Sequence, residues 1–243
     1  MASANSFGRI GRLGSAVLKR LQYKQHSGNL SESDVRALRF HLHVVQHVPP
    51  RTINLGPSSA QRPLVLYSDA EYTERQPPKI GLLLFRDPPL RPLGACMVLP
   101  GVLTRTWSAR RQQQSPAETV AVPIALSLFS HHMCGRDVIA FCDNSAAVST
   151  LIRGTSTSED CRGLAELTHA LMLSLHIRLW IDWVDSQSNP SDGLSRLGMQ
   201  DPWTQTQKFE LMEISGEHFP DLGCEPVHAS ARLLHWGAVT CVA

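Results

Sequence analysis

Three short apolar runs joined by short connections, followed by alternating helical and extended segments, constrain this 243-residue chain more than any other feature. The runs are Leu64-Val65-Leu66-Tyr67-Ser68-Asp69, Ile80-Gly81-Leu82-Leu83-Leu84-Phe85 and the stretch around Cys96-Met97-Val98-Leu99. Strands this close in sequence read as an antiparallel meander. The pattern then changes. Ser115-Pro116-Ala117-Glu118 opens a helix expected to reach about His131, kinked at Pro123, which lacks a backbone donor. Val138 to Cys142 reads as a strand, Asn144 to about Arg153 as a short helix, and about Glu159 to Leu175 as a longer one with Leu164, Leu167, Leu171 and Leu175 as its core stripe. A strand over Ile177–Val184 leads to a last helix start at Asn189-Pro190-Ser191-Asp192. The order βββαβααβα implies an α/β fold with a mixed five-stranded sheet, antiparallel from β1 to β3 and parallel through β4 and β5, with flanking helices.

Ahead of this unit, Ser31-Glu32-Ser33-Asp34 offers a helix start, Val35, Leu38, Leu42 and Val45 follow at helical spacing, and Pro49-Pro50 ends the helix. Ser58 to Pro63 reads as a linker. The expected organisation is a basic helical leader over 1–62, a domain over 63–203 and a poorly specified tail over 204–243. The leader carries nine basic residues against two acidic ones, a net +7, so the remaining 181 residues sum to −5 within the overall +2. A basic leader on a mildly acidic body suggests a polyanionic partner. No apolar run approaches the roughly 20 residues of a membrane span, and the N-terminus has no signal-peptide pattern. The six cysteines include no C-x-x-C pair, which fits free thiols in a reducing compartment. An intracellular setting, cytoplasm or nucleus, is expected.

The candidate chemistry lies in four acids. Asp69 and Asp143 each end an apolar strand. If those strands are parallel neighbours, the two carboxylates emerge at one sheet edge about 4.8 Å apart, beyond the carboxyl ends of strands where such sheets bind ligands. Carboxylates that close repel unless a cation lies between them. Glu118 and Asp192 share a second pattern: a cap residue, a proline in the first turn, and an acid three positions after the cap. An acid there completes a capping box and is favoured by the helix dipole, and it also stays ionised for metal binding. Asn144, beside Asp143, reads first as a helix cap and second as a contact to a nucleic-acid backbone. Glu71, Glu74, Asp182 and Asp185 rank below the four as solvated strand-end acids. His131-His132-Met133-Cys134 has no evident partner pair for zinc. Trp180 and Trp183 sit on opposite faces of one strand, so one is expected in the core.

Tyr-Ser-Asp-Ala-Glu (67–71), Pro-Ala-Glu (116–118), Phe-Cys-Asp-Asn-Ser-Ala-Ala-Val (141–148) and Ser-Asn-Pro-Ser-Asp-Gly-Leu-Ser-Arg (188–196) together resemble the four acidic blocks of type 1 ribonuclease H domains, closest to those of retroelement reverse transcriptases. The resemblance covers about residues 63–203. It implies a ribonuclease H-like fold in which Asp69, Glu118, Asp143 and Asp192 bind two magnesium ions (manganese as the alternative) and the RNA strand of an RNA–DNA hybrid is hydrolysed. It also implies that the basic segment 1–51, with Phe7-Gly8-Arg9 and Pro49-Pro50-Arg51, corresponds to the connection between polymerase and nuclease in a longer polyprotein. Arg9, Arg12 and Arg51 are then nucleic-acid-binding candidates. Many members of the family carry a histidine in the loop before the last acid, where this chain reads Val184-Asp185-Ser186-Gln187-Ser188. That departure keeps open a catalytically weak or inactive nucleic-acid-binding module of the same fold. Another nuclease of the superfold, an integrase or exonuclease, fits less well with Glu118 and the Asp143-Asn144 block. The polymerase itself is not expected within these residues, which contain no Asp-Asp dipeptide.

Overall fold

The computed structural model describes residues 30–47, 62–109, 113–223 and 226–240, together with Leu18 and Gln22. Arg9, Arg12 and Arg51 lie outside the described residues, as does most of the Ser58–Pro63 linker. The chain forms α1 (Glu32–His47), β1 (Leu64–Thr73), β2 (Gln76–Phe85), β3 (Leu93–Val98), α2 (Gly101–Thr104), α3 (Gln114–Leu128), α4 (Ser130–Met133), β4 (Asp137–Cys142), α5 (Ser145–Arg153), α6 (Glu159–Ser174), β5 (Arg178–Trp183), α7 (Asp192–Leu197), α8 (Pro202–Thr206), β6 (Glu210–Ile214) and α9 (Pro226–Thr240). No helix among the described residues is long and apolar enough to cross a membrane.

The sheet is mixed and runs β5-β4-β1-β2-β3-β6. β2 is antiparallel to β1 and β3, β4 is parallel to β1 and β5, and β6 is parallel to β3. The first five strands follow the expected order, and a sixth strand extends the sheet. β2 reads Ile80-Gly81-Leu82-Leu83-Leu84 without alternation because it lies in the interior of the sheet and is covered on both faces. Ile80, Leu82 and Leu84 enter the main core beneath α3, whereas Leu83 joins Cys96 and Leu194 under α7.

α3 is buried from Pro116 to Leu128, since the sheet covers one side and α6 and α9 cover others. An all-round apolar helix is the sequence form of that position. The helix continues through Pro123 and ends at Leu128, short of His131; α4 follows as a separate turn. α9 seats Gly237 directly on Ser127, whose hydroxyl donates to the Leu233 carbonyl.

Three sequence expectations change here. Residues 204–243 are not an unspecified tail throughout: 210–214 pair with β3 and 226–240 pack on α3 and α6. β6 is only five residues long with glutamates at 210 and 213, too short for a clear period-2 signal, and its docking depends on Leu211 lying against Gly94. α1 begins as expected, with the Ser31 hydroxyl accepting from the Asp34 amide and the Asp34 carboxylate from the Ser31 amide. It then buries Ala37, Phe40 and Val44, the latter two against Ala170 of α6, and leaves Leu42 and Val45 exposed. Within 32–47 the leader is therefore part of the folded body. Trp180 and Trp183 are both exposed, because β5 is an edge strand whose buried face is supplied by Leu179 and Ile181.

Candidate active site

The β1–β4 ladder ends with Ser68 opposite Cys142, and the next residue on each strand is an aspartate, Asp69 and Asp143. Parallel pairing thus delivers both carboxylates to the same end of adjacent strands. Asp69 is buried and accepts a hydrogen bond from the Ser195 hydroxyl of α7. Asp143 is half-buried; its carboxylate accepts from Ser186 Oγ at 2.5 Å and its carbonyl from Trp183 Nε1 at 2.8 Å.

Glu118 arrives from the first turns of α3 and is 1% exposed. Gln114, one turn earlier, donates to Glu118 Oε1 at 2.7 Å and to the Ala70 carbonyl, fastening the helix to β1. The Cys142 thiol donates weakly to Glu118 Oε2 at 3.6 Å. Asp192 opens α7 and pairs with Arg196, four residues on, at 2.7 Å. The loop before α7 is anchored by Asn189, whose amide nitrogen donates to the Ser68 carbonyl at 3.1 Å.

All four sequence-predicted acids line one cavity of about 420 Å³, which Gln114, Asn144, Ser186 and Arg196 also line. Their electrostatics are shared. Burial, reinforced by the charges of Asp69 and Asp143, raises the Glu118 pKa to about 9 against the opposing hydrogen bonds from Gln114 and Cys142. Burial also raises Asp69 to about 6; the Ser195 hydrogen bond opposes this, Asp143 and Asp192 add to it, and Arg196 opposes it. Acids that hold one another's protons in this way are a site short of positive charge. Carboxylate oxygens are hard donors suited to magnesium or manganese, and among the described residues ligand atoms of Glu118, Cys142 and Asp143 lie within 4.8 Å of one another. The donor set therefore fits divalent cations. The Cys142 thiol, raised well above its ordinary range by burial and then by Glu118, stays protonated and is no nucleophile.

The local geometry of two acids differs from the capping pattern. Gln113, not Ser115, precedes α3, which places Glu118 a full turn inside the helix, and no side-chain cap is made there. Asp192 is the first residue of α7, and Asn189 turns back to accept from the Ser191 amide and hydroxyl instead of capping the helix. Asn144 does cap α5, accepting from the Ala147 amide at 3.0 Å. Glu71 borders the cavity and pairs with Lys79, Asp185 caps the turn at Ser186–Ser188, and Asp182 accepts from the Trp183 amide. His131 and His132 join no metal-ligating group among the described residues.

Sequence reasoning passed over Gln114, Ser186, Ser195 and Arg196. Three of them carried a usable signal: Gln114 lies four residues before Glu118, and Ser195 and Arg196 lie three and four after Asp192, the spacings that share a helix face. Ser186 carried none, because a loop residue acquires its neighbour only through the fold.

No protein-family model matches the sequence, and no curated protein matches it. Among solved structures the chain is similar to ribonuclease H1 from the halophilic archaeon Halobacterium salinarum NRC-1, with a TM-score of 0.43 and 16% identity over 58% of this chain and 99% of that one. It is similar in the same degree, TM-score 0.43 and 16% identity, to the N-terminal ribonuclease H domain of rv2228c from Mycobacterium tuberculosis, over 59% of this chain and 96% of the other.

Proposed function

We propose that this chain is a metal-dependent endonuclease of the ribonuclease H type that hydrolyses the RNA strand of RNA–DNA hybrids as the nuclease part of a retroelement reverse transcriptase. The observation that carries the reading is the convergence of Asp69, Glu118, Asp143 and Asp192 on one cavity, with the protons of Asp69 and Glu118 held up partly by the neighbouring carboxylates. On this reading residues 63–203 supply the chemistry, and the basic segment before them contacts nucleic acid.

The four acids would hold two magnesium or manganese ions. When bound, such ions supply an activated water and stabilise the leaving oxygen of a phosphodiester. The chain's own groups position and partly neutralise the acids. Ser195 fixes the rotamer of Asp69, Ser186 that of Asp143, and Gln114 that of Glu118, each through a donated hydrogen bond. Arg196 offsets the charge of Asp192. No side chain serves as nucleophile, in keeping with the protonated state of Cys142. Ser186 occupies the loop where related domains place a histidine, and it contacts Asp143 directly.

The test is a gel assay on a labelled hybrid, with magnesium and with chelator. Magnesium-dependent cleavage of the RNA strand alone is the expected outcome. Hybrid binding without cleavage would replace this reading with that of an inactive binding module, and cleavage that persists in chelator would overturn the metal assignment.

A further inference from the structure

Trp183 is the last residue of β5 and pairs with Cys142 of β4, which on its other side pairs with Ser68 of β1. The ends of β1, β4 and β5 therefore form one row that presents Asp69, Asp143 and Trp183 in that order, on strands about 4.8 Å apart. Trp183 is 50% exposed, although tryptophan is highly buried on average. β5 is an edge of the sheet, so no further strand covers it there.

The exposed side chain is nevertheless held in place. Its Nε1 donates to the Asp143 carbonyl at 2.8 Å, its amide donates to the Asp182 carboxylate at 2.8 Å, and the Val184 amide donates to the Cys142 carbonyl at 3.2 Å. The indole bond uses the edge of the ring and ties it to a residue of the acid cavity. A ring fixed before its ligand arrives gives up little conformational freedom when it is covered. The charged residues nearest to it in the chain, Asp182 and Asp185, are both acidic and disfavour a phosphate at this spot. A flat uncharged group suits it better, and every nucleobase offers such a face. In a duplex those faces are covered by the stack, so a ring on the protein surface can meet only a base that is unpaired.

We infer that Trp183 is a specificity-determining residue of the acid site, stacking on an unpaired base of the nucleic-acid strand that crosses the acids. Hybrid that borders a single-stranded stretch is then preferred over blunt hybrid. The inference rests on the reading of the acid cavity as a nucleic-acid site.

The full chain is compared with Trp183→Phe, which keeps a stacking ring and loses the N–H to Asp143, and with Trp183→Leu, which loses both. Fluorescence anisotropy in chelator measures binding of a labelled blunt hybrid and of the same hybrid with an unpaired RNA extension at either end. Cleavage of each is followed in magnesium. The parent chain and Trp183→Phe should bind one of the extended hybrids about five- to a hundredfold more tightly than the blunt one, the range that stacking of one base supplies, and kcat/KM should show the same preference. Trp183→Leu should bind blunt hybrid as the parent does and lose the preference. An extension of abasic nucleotides, with the same phosphates and no bases, should bind the parent no better than blunt hybrid. Equal binding of blunt and extended hybrid by the parent would overturn the inference, as would a preference that survives in Trp183→Leu or with the abasic extension. A Trp183→Phe chain as impaired as Trp183→Leu would overturn it as well, because the indole would then serve only to hold Asp143. Absence of cleavage beside an intact, Trp183-dependent binding preference would bear out the stacking role and overturn the nuclease reading alone.

Discussion

Ser191 rests its carbonyl oxygen on Gly81: a Cβ at Gly81 would stand 2.5 Å from that oxygen, and equally close to the Ser195 amide nitrogen. Gly81 is the residue paired with Asp69 across β1 and β2. The absence of a side chain on β2 is thus what lets α7 come down onto the sheet and bring Asp192 and Ser195 beside Asp69. Gly81→Ala should force α7 away from the strands. Overpacking of this kind costs about 1–3 kcal/mol, visible as a lowered melting temperature. Magnesium-dependent cleavage should fall by more than tenfold, because three of the groups at the site, Asp192, Ser195 and Arg196, ride on the displaced helix. Unchanged cleavage by the folded variant would show that α7 need not sit this close.

Asp143→Asn keeps the shape of the side chain and removes its charge, so the melting temperature should move little while hybrid cleavage nearly vanishes. Ser186→Ala is the subtler change. Losing a hydroxyl that orients a ligand typically costs about 10–100-fold in metal affinity or activity. The expected signature is a rise in the magnesium concentration needed for half-maximal cleavage, with most of the rate returning at saturating metal. A Ser186→Ala enzyme with an unshifted magnesium dependence would remove Ser186 from the positioning role.

Glu166 links stability to pH with a definite sign. Its folded pKa is raised from 4.5 to about 7, by burial more than the opposing arginines can offset. Arg36, Glu159, Asp160 and Arg162 are the charged groups that line a second, separate cavity with it. Below about pH 4.5 the carboxyl is protonated in both folded and unfolded chains and costs nothing. As pH rises towards 7 the unfolded chain ionises first, so the folded state loses stability, on the order of 3 kcal/mol in total for a shift of that size. Glu166→Gln abolishes the titration. The variant should melt several degrees above the parent at pH 8, with the gap narrowing towards pH 4.5. A constant gap across that range would mean that Glu166 titrates normally.

Residues 1–30 carry five basic and no acidic residues. Deleting them while keeping α1, whose Phe40 and Val44 pack on Ala170, separates the electrostatic part of the leader from the structural part. The truncated chain should fold and cleave at saturating protein but bind hybrid more weakly. Its log affinity should fall less steeply with log salt, by about 0.9 for each phosphate that the missing segment would have neutralised. An unchanged salt slope would mean that this segment does not touch the phosphate backbone.

Asp69 and Asp143 were legible because each ends an apolar strand, and parallel pairing in register then does the rest. Glu118 and Asp192 were legible as motif residues, yet their local geometry was not: Gln113 starts α3 earlier than Ser115, and tertiary contact through Gln114 with Ala70 outweighs the capping preference. The α1 sequence offers two apolar faces, one with Leu42 and Val45 and one with Ala37, Phe40 and Val44. The docking partner on α6, invisible in a local window, decides between them. β6 fails as a sequence signal for the same reason, since its stability comes from Gly94 and β3, more than a hundred residues away.

β5 and β6 stand at opposite edges of the sheet, and α7 lies on the chain between them, in contact with β1, β2 and β3. The last acid therefore sits midway along a strap that is buckled at both rims. Edges open more readily than the centre of a sheet, so loosening either rim slackens the strap before the central strands give way. The arrangement of the four acids should therefore be lost before the sheet itself melts, through a five-residue strand that contributes no residue to the acid cavity.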